Sequence, residues 1–95
     1  MEAELFVRSL RRLKRSLEQL EAEFAHGRID DELLAEIDRM VEDGLAYDPR
    51  TRELVAHLER LRENTLTPRS ELFTDGIRDC RKAKSGIEEV IAVVG

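Results

Sequence analysis

The chain lacks the features that mark disulfide-stabilised, secreted or membrane-spanning proteins. Its one cysteine, Cys80, excludes an intrachain disulfide, and a reducing compartment is the simpler interpretation. No apolar run approaches the roughly 18 residues that span a bilayer, and residues 1–17 are too charged for a signal peptide. We therefore expect a cytoplasmic protein with no membrane partner.

Aromatic residues and catalytic motifs are also scarce. The 95 residues include no tryptophan, one tyrosine and three phenylalanines, so the core must consist mainly of aliphatic side chains. With 41% hydrophobic residues, the chain is too apolar for a disordered tail and long enough for one domain, residues 1–95. No nucleophile motif, phosphate-binding loop or metal-ligand cluster is present, and we expect a non-enzymatic protein without cofactor or metal. The sequence leaves open whether a longer protein contains this chain.

What the chain does contain is helical apolar periodicity. Near the N-terminus, six apolar residues recur at steps of 4, 3, 4, 3 and 4: Phe6, Leu10, Leu13, Leu17, Leu20 and Phe24. This spacing keeps one face of a helix against a partner helix, as in a coiled coil. It predicts an all-α fold, a small and mostly antiparallel bundle of about four helices, in which this first stripe serves helix packing or self-association.

Capping residues predict where the helices begin and end. Gly27 suits a helix C-terminus, Asp30 suits an N-cap, and the Asp48-Pro49 pair combines an N-cap with a proline at the first helical position. The Thr67-Pro68 pair repeats that signal. The predicted helices cover about residues 2–26, 30–43, 49–64 and 68–94.

The last predicted helix has its own stripe, at steps of 4, 3, 4, 3, 4 and 3: Phe73, Ile77, Cys80, Lys84, Ile87, Ile91 and Val94. Lys84 interrupts this stripe, and we expect its stem to pack while its ammonium group reaches water. Cys80 is expected to be a small core residue rather than a nucleophile. Ser85 and Gly86 are candidate sites for a kink or a break.

A rival interpretation of the middle of the chain is a winged-helix domain. Residues 44–48 and 53–55 would then form the two strands of a wing. The capping residues favour a helix instead, and the acidic second helix would repel DNA phosphates if it acted as a recognition helix.

Charge is distributed unevenly along the chain. Residues 1–17 carry five basic and two acidic groups, whereas residues 18–48 carry eleven acidic and two basic groups. The basic residues form two groups, one on each terminal helix: Arg8, Arg11, Arg12, Lys14 and Arg15, then Arg78, Arg81, Lys82 and Lys84. These groups are candidates for binding an anionic partner, nucleic acid included, or for pairing with the acidic block.

Five charged residues are similar in spacing to those of small all-helical chorismate mutases: Arg11, Arg28, Arg39, Arg52 and Glu53. The resemblance implies an enzyme that binds a dicarboxylate through cationic side chains from several helices. That family uses a long unbroken first helix, whereas this sequence predicts a break after Gly27.

The function that these patterns favour is binding rather than catalysis. We expect a non-enzymatic protein–protein interaction module, acting as a small subunit, adaptor or regulator of a larger assembly, with a homodimer as one form of the partnership. The alternative is an accessory subunit that binds the nucleic-acid backbone through the basic faces of the first and last helices. The lower alternative is the chorismate-mutase-like enzyme.

Overall fold

The computed structural model describes residues 3–94 and is a small all-α bundle, as the sequence predicts. Its four helices are α1 (Ala3–Ala25), α2 (Asp31–Glu42), α3 (Arg52–Leu66) and α4 (Leu72–Val94). Two short 3₁₀ turns, Leu45–Tyr47 and Pro49–Thr51, connect α2 to α3. Within residues 3–94 there is no β-strand, so the winged-helix interpretation is wrong. None of the helices in this part of the chain combines the length and apolar character needed to cross a membrane.

Helix α4 is the central element, because it packs against both α1 and α3. Lys14 of α1 pairs with Glu88, whereas Glu21, two turns further along α1, pairs with Lys84. These contacts run in opposite directions along the two helices, so α1 and α4 are antiparallel. The α3–α4 pair is antiparallel for the same reason, since Asn64 meets Asp79 and Leu54 lies beside Gly86.

The predicted stripe of α1 forms the centre of the core. All six of its side chains, from Phe6 to Phe24, are at most 1% exposed within the single chain. They are joined there by leucines of every other helix, including Leu34, Leu58 and Leu72. The stripe therefore serves helix packing and has no exposed surface left to offer a second copy.

The local signals before α2 and α3 act largely as predicted. Gly27 takes a left-handed conformation with φ of 71°, and the Asp30 carboxylate accepts a hydrogen bond from the N–H of Leu33 at 3.0 Å. Asp48 likewise caps the turn that begins at Pro49 by accepting from the N–H of Arg50. This turn is 3₁₀, however, so α3 begins at Arg52 rather than Pro49, and it continues to Leu66 rather than ending at Asn64.

Helix α4 differs from its prediction in three respects. It begins at Leu72 rather than Pro68, because the chain first forms a turn in which the N–H of Leu72 donates to the carbonyl oxygen of Arg69 at 3.2 Å. It also continues unbroken through Ser85 and Gly86. Finally, its buried line is centred differently from the predicted stripe: Leu72, Gly76, Asp79, Cys80, Ala83, Ile87 and Val90.

The physical reason for this shift is that α4 packs against two helices at once. Its buried surface is wider than one stripe, and the predicted Phe73, Ile77 and Ile91 lie at its margin, partly buried. The middle of that surface instead contains small residues and one carboxylate, which apolar periodicity does not select. Cys80 is fully buried, as expected of a core residue, and burial raises the pKa of its thiol to about 12.

One glycine of α4 allows α1 to approach closely. A Cβ atom added to Gly76 would lie 2.7 Å from the ring carbons of Phe24, which is a steric clash. Gly86 differs, because a Cβ atom there would have its nearest neighbour, a methyl group of Leu54, at 3.7 Å. The two glycines are therefore equivalent in helix propensity but opposite in their packing environment.

We predict opposite effects of the same substitution at these two positions. Gly86→Ala should raise the free energy of unfolding by up to about 1 kcal/mol, because alanine favours a helix over glycine. Gly76→Ala should be less stable than Gly86→Ala by about 1–3 kcal/mol, the usual cost of overpacking a core. Urea unfolding followed by circular dichroism measures both values, and equal stability of the two variants would contradict the close approach of Phe24.

Candidate functional site

A concave surface of the described chain lies along α4, beside the N-terminal part of α3 and the turn that precedes it. This α3–α4 groove has a volume of about 1270 Å³ and is open to solvent. Its apolar lining consists of Leu54, Ile77, Gly86, Val90 and Val93. Leu54 and Val90 are buried and form the floor, whereas Val93 is 80% exposed. The groove therefore leaves apolar surface in contact with water.

Cationic side chains surround this apolar floor. Five of them line the groove: Arg50, Arg52, Arg78, Arg81 and Lys82. His57 and the carboxylates of Glu53 and Glu89 also line it. Three of the five cations belong to the basic group that the sequence predicts on the last helix, whereas Arg50 and Arg52 come from the segment that begins α3.

Lys84, the fourth basic residue predicted on this helix, lies elsewhere. Its ammonium group is 2.7 Å from Glu21 of α1, and its side chain is 23% exposed. Arg81 reaches the same carboxylate at 3.3 Å. Burial alone would raise the pKa of Glu21, but the two cations outweigh it and hold the pKa below its ordinary value. Lys84 thus connects α4 to α1 and is not part of the groove.

The basic residues of α1 lie outside the α3–α4 groove and make their own contacts. Lys14 is 2.6 Å from Glu88 of α4, and Arg12 is 3.8 Å from Glu36 of the acidic α2. Arg8, Arg11 and Arg15 line a separate, smaller cleft with Val94. Within residues 3–94, Arg11 and Arg15 form no ion pair. No basic residue of α1 lines the α3–α4 groove.

A buried polar pair fixes the two helices that form the groove. Asp79, only 1% exposed, accepts a hydrogen bond of 2.6 Å from the amide of Asn64 on α3. Its second oxygen lies 3.7 Å from Nε of Arg78. A buried carboxylate is costly without such partners, so the pair favours one register of α3 against α4. Apolar periodicity gives no signal for it.

Arg50 is held at one end of the groove by two contacts. Its guanidinium group donates to both oxygens of Asp48, at 3.0 and 2.7 Å, and its Cζ lies 4.3 Å from the centroid of the Phe6 ring. The buried hydroxyl of Thr51 contacts the carbonyl oxygens of Leu45 and Asp48 and so closes the same turn. The sequence signal for this arrangement was the Asp48-Pro49 cap, but the stacking on Phe6 joins residues distant in sequence.

The residues that resemble chorismate mutases do not converge. Arg52 and Glu53 line the α3–α4 groove and Arg11 lines the α1 cleft, whereas Arg28 pairs with Glu23 at 2.8 Å. Arg39 belongs to a third surface, on α2. Moreover, α1 ends at Ala25 instead of continuing as one long helix. Within residues 3–94 these five side chains therefore lie on separate surfaces rather than around one pocket.

In the part of the chain that the structure describes, no cluster of three or more histidine, cysteine or acidic side chains is arranged to hold a metal ion. Comparison with family models, curated proteins and solved structures finds no match to this chain. The site has to be interpreted from its own geometry.

We predict that Asn64→Leu destabilises the fold by about 1–3 kcal/mol, since the buried Asp79 carboxylate loses its hydrogen-bond donor. Replacing both residues, as Asn64→Leu with Asp79→Leu, should recover part of the loss because no polar group is then left without a partner. Urea unfolding measures the three free energies. A double variant no more stable than Asn64→Leu would contradict the role assigned to this pair.

The Asp48–Arg50 contact predicts a pH dependence. Hydrogen bonds from the Arg50 side chain and backbone lower the pKa of Asp48 from 3.8 to about 2. Because the folded-state pKa is depressed, the stabilisation is complete above 3.8 and is lost as the pH falls through about 2. The stability difference between the wild type and Asp48→Asn should therefore shrink over this interval in thermal unfolding experiments. A difference independent of pH would contradict the ion pair.

Proposed function

We propose that this protein is a non-enzymatic protein–protein interaction module, a small subunit, adaptor or regulator, that binds a helical segment of its partner in the α3–α4 groove. The observation that carries the proposal is the apolar floor of this groove, which ends in the exposed side chain of Val93. Solvent-exposed apolar surface in a concave, polar-rimmed site is typical of interaction surfaces.

The dimensions of the groove favour a polypeptide over a small molecule. Small-molecule pockets usually occupy about 300–1,000 Å³ and enclose most of the ligand, whereas this groove is larger, at about 1270 Å³, and open. The α4 residues that line it extend from Thr74 to Val93, which corresponds to about 29 Å of helix. An amphipathic helix that places its apolar face on such a surface is a common mode of peptide recognition.

Binding of the nucleic-acid backbone is the second candidate, and exposed cations favour it. Arg52 and Lys82 in the groove, and Arg11 and Arg15 on α1, form no ion pair within residues 3–94. Phosphate binding would use these groups and would weaken steeply with salt. It would not use the apolar floor, however, and this is why the floor favours a protein partner.

The proposal predicts a specific loss of binding from one surface substitution. Candidate ligands come from a display library of amphipathic helical peptides with fixed apolar spacing and varied polar positions, selected on the wild-type protein. Binders should lose affinity for Val93→Gln by about tenfold, because burial of Val93 and its apolar contact contributes on the order of 1.5 kcal/mol. Fluorescence anisotropy of single labelled peptides measures the affinities.

The matched control is Leu66→Gln. Leu66 is also an exposed apolar residue, at 66%, but it lies at the C-terminal end of α3 and does not line the groove. Binders should keep their affinity for this variant. If no selected peptide distinguishes Val93→Gln from Leu66→Gln, the groove is not the binding surface and the proposal fails.

A further inference from the structure

We infer that the segment bound in the α3–α4 groove is an acidic amphipathic helix. Its carboxylates lie at one end, and its apolar anchor, the apolar side chain that contacts Val93, lies about three turns away. The inference rests on the proposed function, because it specifies the partner of the same groove. Its basis is the arrangement of charge around the groove, where cations face the solvent and their carboxylates lie behind them.

The carboxylates that neutralise the groove arginines are largely withdrawn from water. The side chains of Arg78 and Arg81 are 52% and 70% exposed, whereas those of their partners Asp75 and Glu21 are 15% and 20% exposed. The side chain of Asp79, the second partner of Arg78, is 2% exposed. An approaching ligand therefore meets the guanidinium groups first, and the single carboxylate of Glu21 is shared between Arg81 and Lys84.

These guanidinium groups also retain unused donors. Arg81 contacts Glu21 through Nε, and Arg78 contacts its two aspartates through Nη1 and Nε. Within residues 3–94, the remaining Nη groups donate no hydrogen bond to a carboxylate, and Lys82 forms no ion pair. A guanidinium group carries five N–H donors, so carboxylates of a partner can bind without displacing the internal ones.

The α4 cations and the exposed apolar side chain of Val93 lie at different ends of the groove, and Ile77 adds apolar lining at the basic end. Arg78, Arg81 and Lys82 lie within a little more than one turn of α4 and form its basic end. Val90 and Val93 lie at the other end of the α4 lining. Of the remaining cations, Arg50 already pairs with Asp48, and the carboxylates of Glu53 and Glu89 also line the groove. From Lys82 to Val93 the helix rises by about 17 Å, or three turns. A partner helix that matches both ends needs its carboxylates and its apolar anchor at that separation.

The same peptide selection tests this inference, because the selected peptides show which charged residues the groove prefers. The varied positions of the library offer aspartate, glutamate, glutamine, lysine and arginine equally, at both ends of the peptide. Peptides that depend on Val93 should be enriched in carboxylates at the end three turns from their apolar anchor. They should bind more weakly as salt rises, because exposed ion pairs are screened.

Two charge-reversal variants then show which cations contribute to peptide affinity. Lys82→Glu should weaken binding of the acidic peptides by about three- to tenfold, as expected for exposed ion pairs that are lost and replaced by repulsion. Arg15→Glu changes the net charge equally, at an exposed cation of α1 outside the groove, and should change the affinity by less than about twofold. Circular dichroism confirms that both variants stay folded.

The outcomes separate the inference from the proposed function. Val93-dependent peptides that are neutral or basic, or that tolerate Lys82→Glu, would overturn the acidic helix while leaving the groove as the binding surface. Absence of any Val93-dependent peptide would overturn both. A chain that dimerises through the groove without peptide would contradict the acidic helix. Binding of a single-stranded oligonucleotide that is weakened by Lys82→Glu but not by Val93→Gln would also contradict the acidic helix.

Discussion

The close approach of α1 to α4 is the constraint on which the remaining architecture depends. The ring of Phe24 lies where a side chain at position 76 would begin, so only glycine fits there. Cys80 and Ala83, both fully buried, continue this line of small residues along α4. Because α4 can approach α1 along this line, it buries one side against α1 and another against α3, and its remaining side is left as the exposed surface of the groove.

Electrostatic pairing follows from this central position of α4. The α4 residues Arg81, Lys84 and Glu88 pair with α1, and the buried Asp79 pairs with α3. These contacts add charge pairing to the apolar packing, and the buried Asp79 favours one register of α3 against α4. The carboxylates of Glu21 and Asp79 are largely buried in these contacts, and cations line the groove along α4 even though the whole chain has a net charge of −5.

The helices were predictable from sequence because local chemistry determines them. The periodic stripe of α1 and the carboxylates of Asp30 and Asp48 act on neighbours within one or two turns, and the structure confirms them. The centre of the α4 core face was not predictable, since it depends on which two helices pack there. That Arg50 and Arg52 line the same groove as the α4 cations could not be predicted for the same reason, because no sequence spacing relates residues so far apart in the chain.

The measurement that tests the account most directly is an NMR titration of the ¹⁵N-labelled protein with one synthetic peptide from the enriched pool. If the α3–α4 groove is the binding surface, amide shifts should change along residues 50–57 and 77–93, while those of the acidic α2 stay constant. Changes confined to the basic residues of α1, or to α2, would contradict the central claim and place the binding surface elsewhere on the bundle.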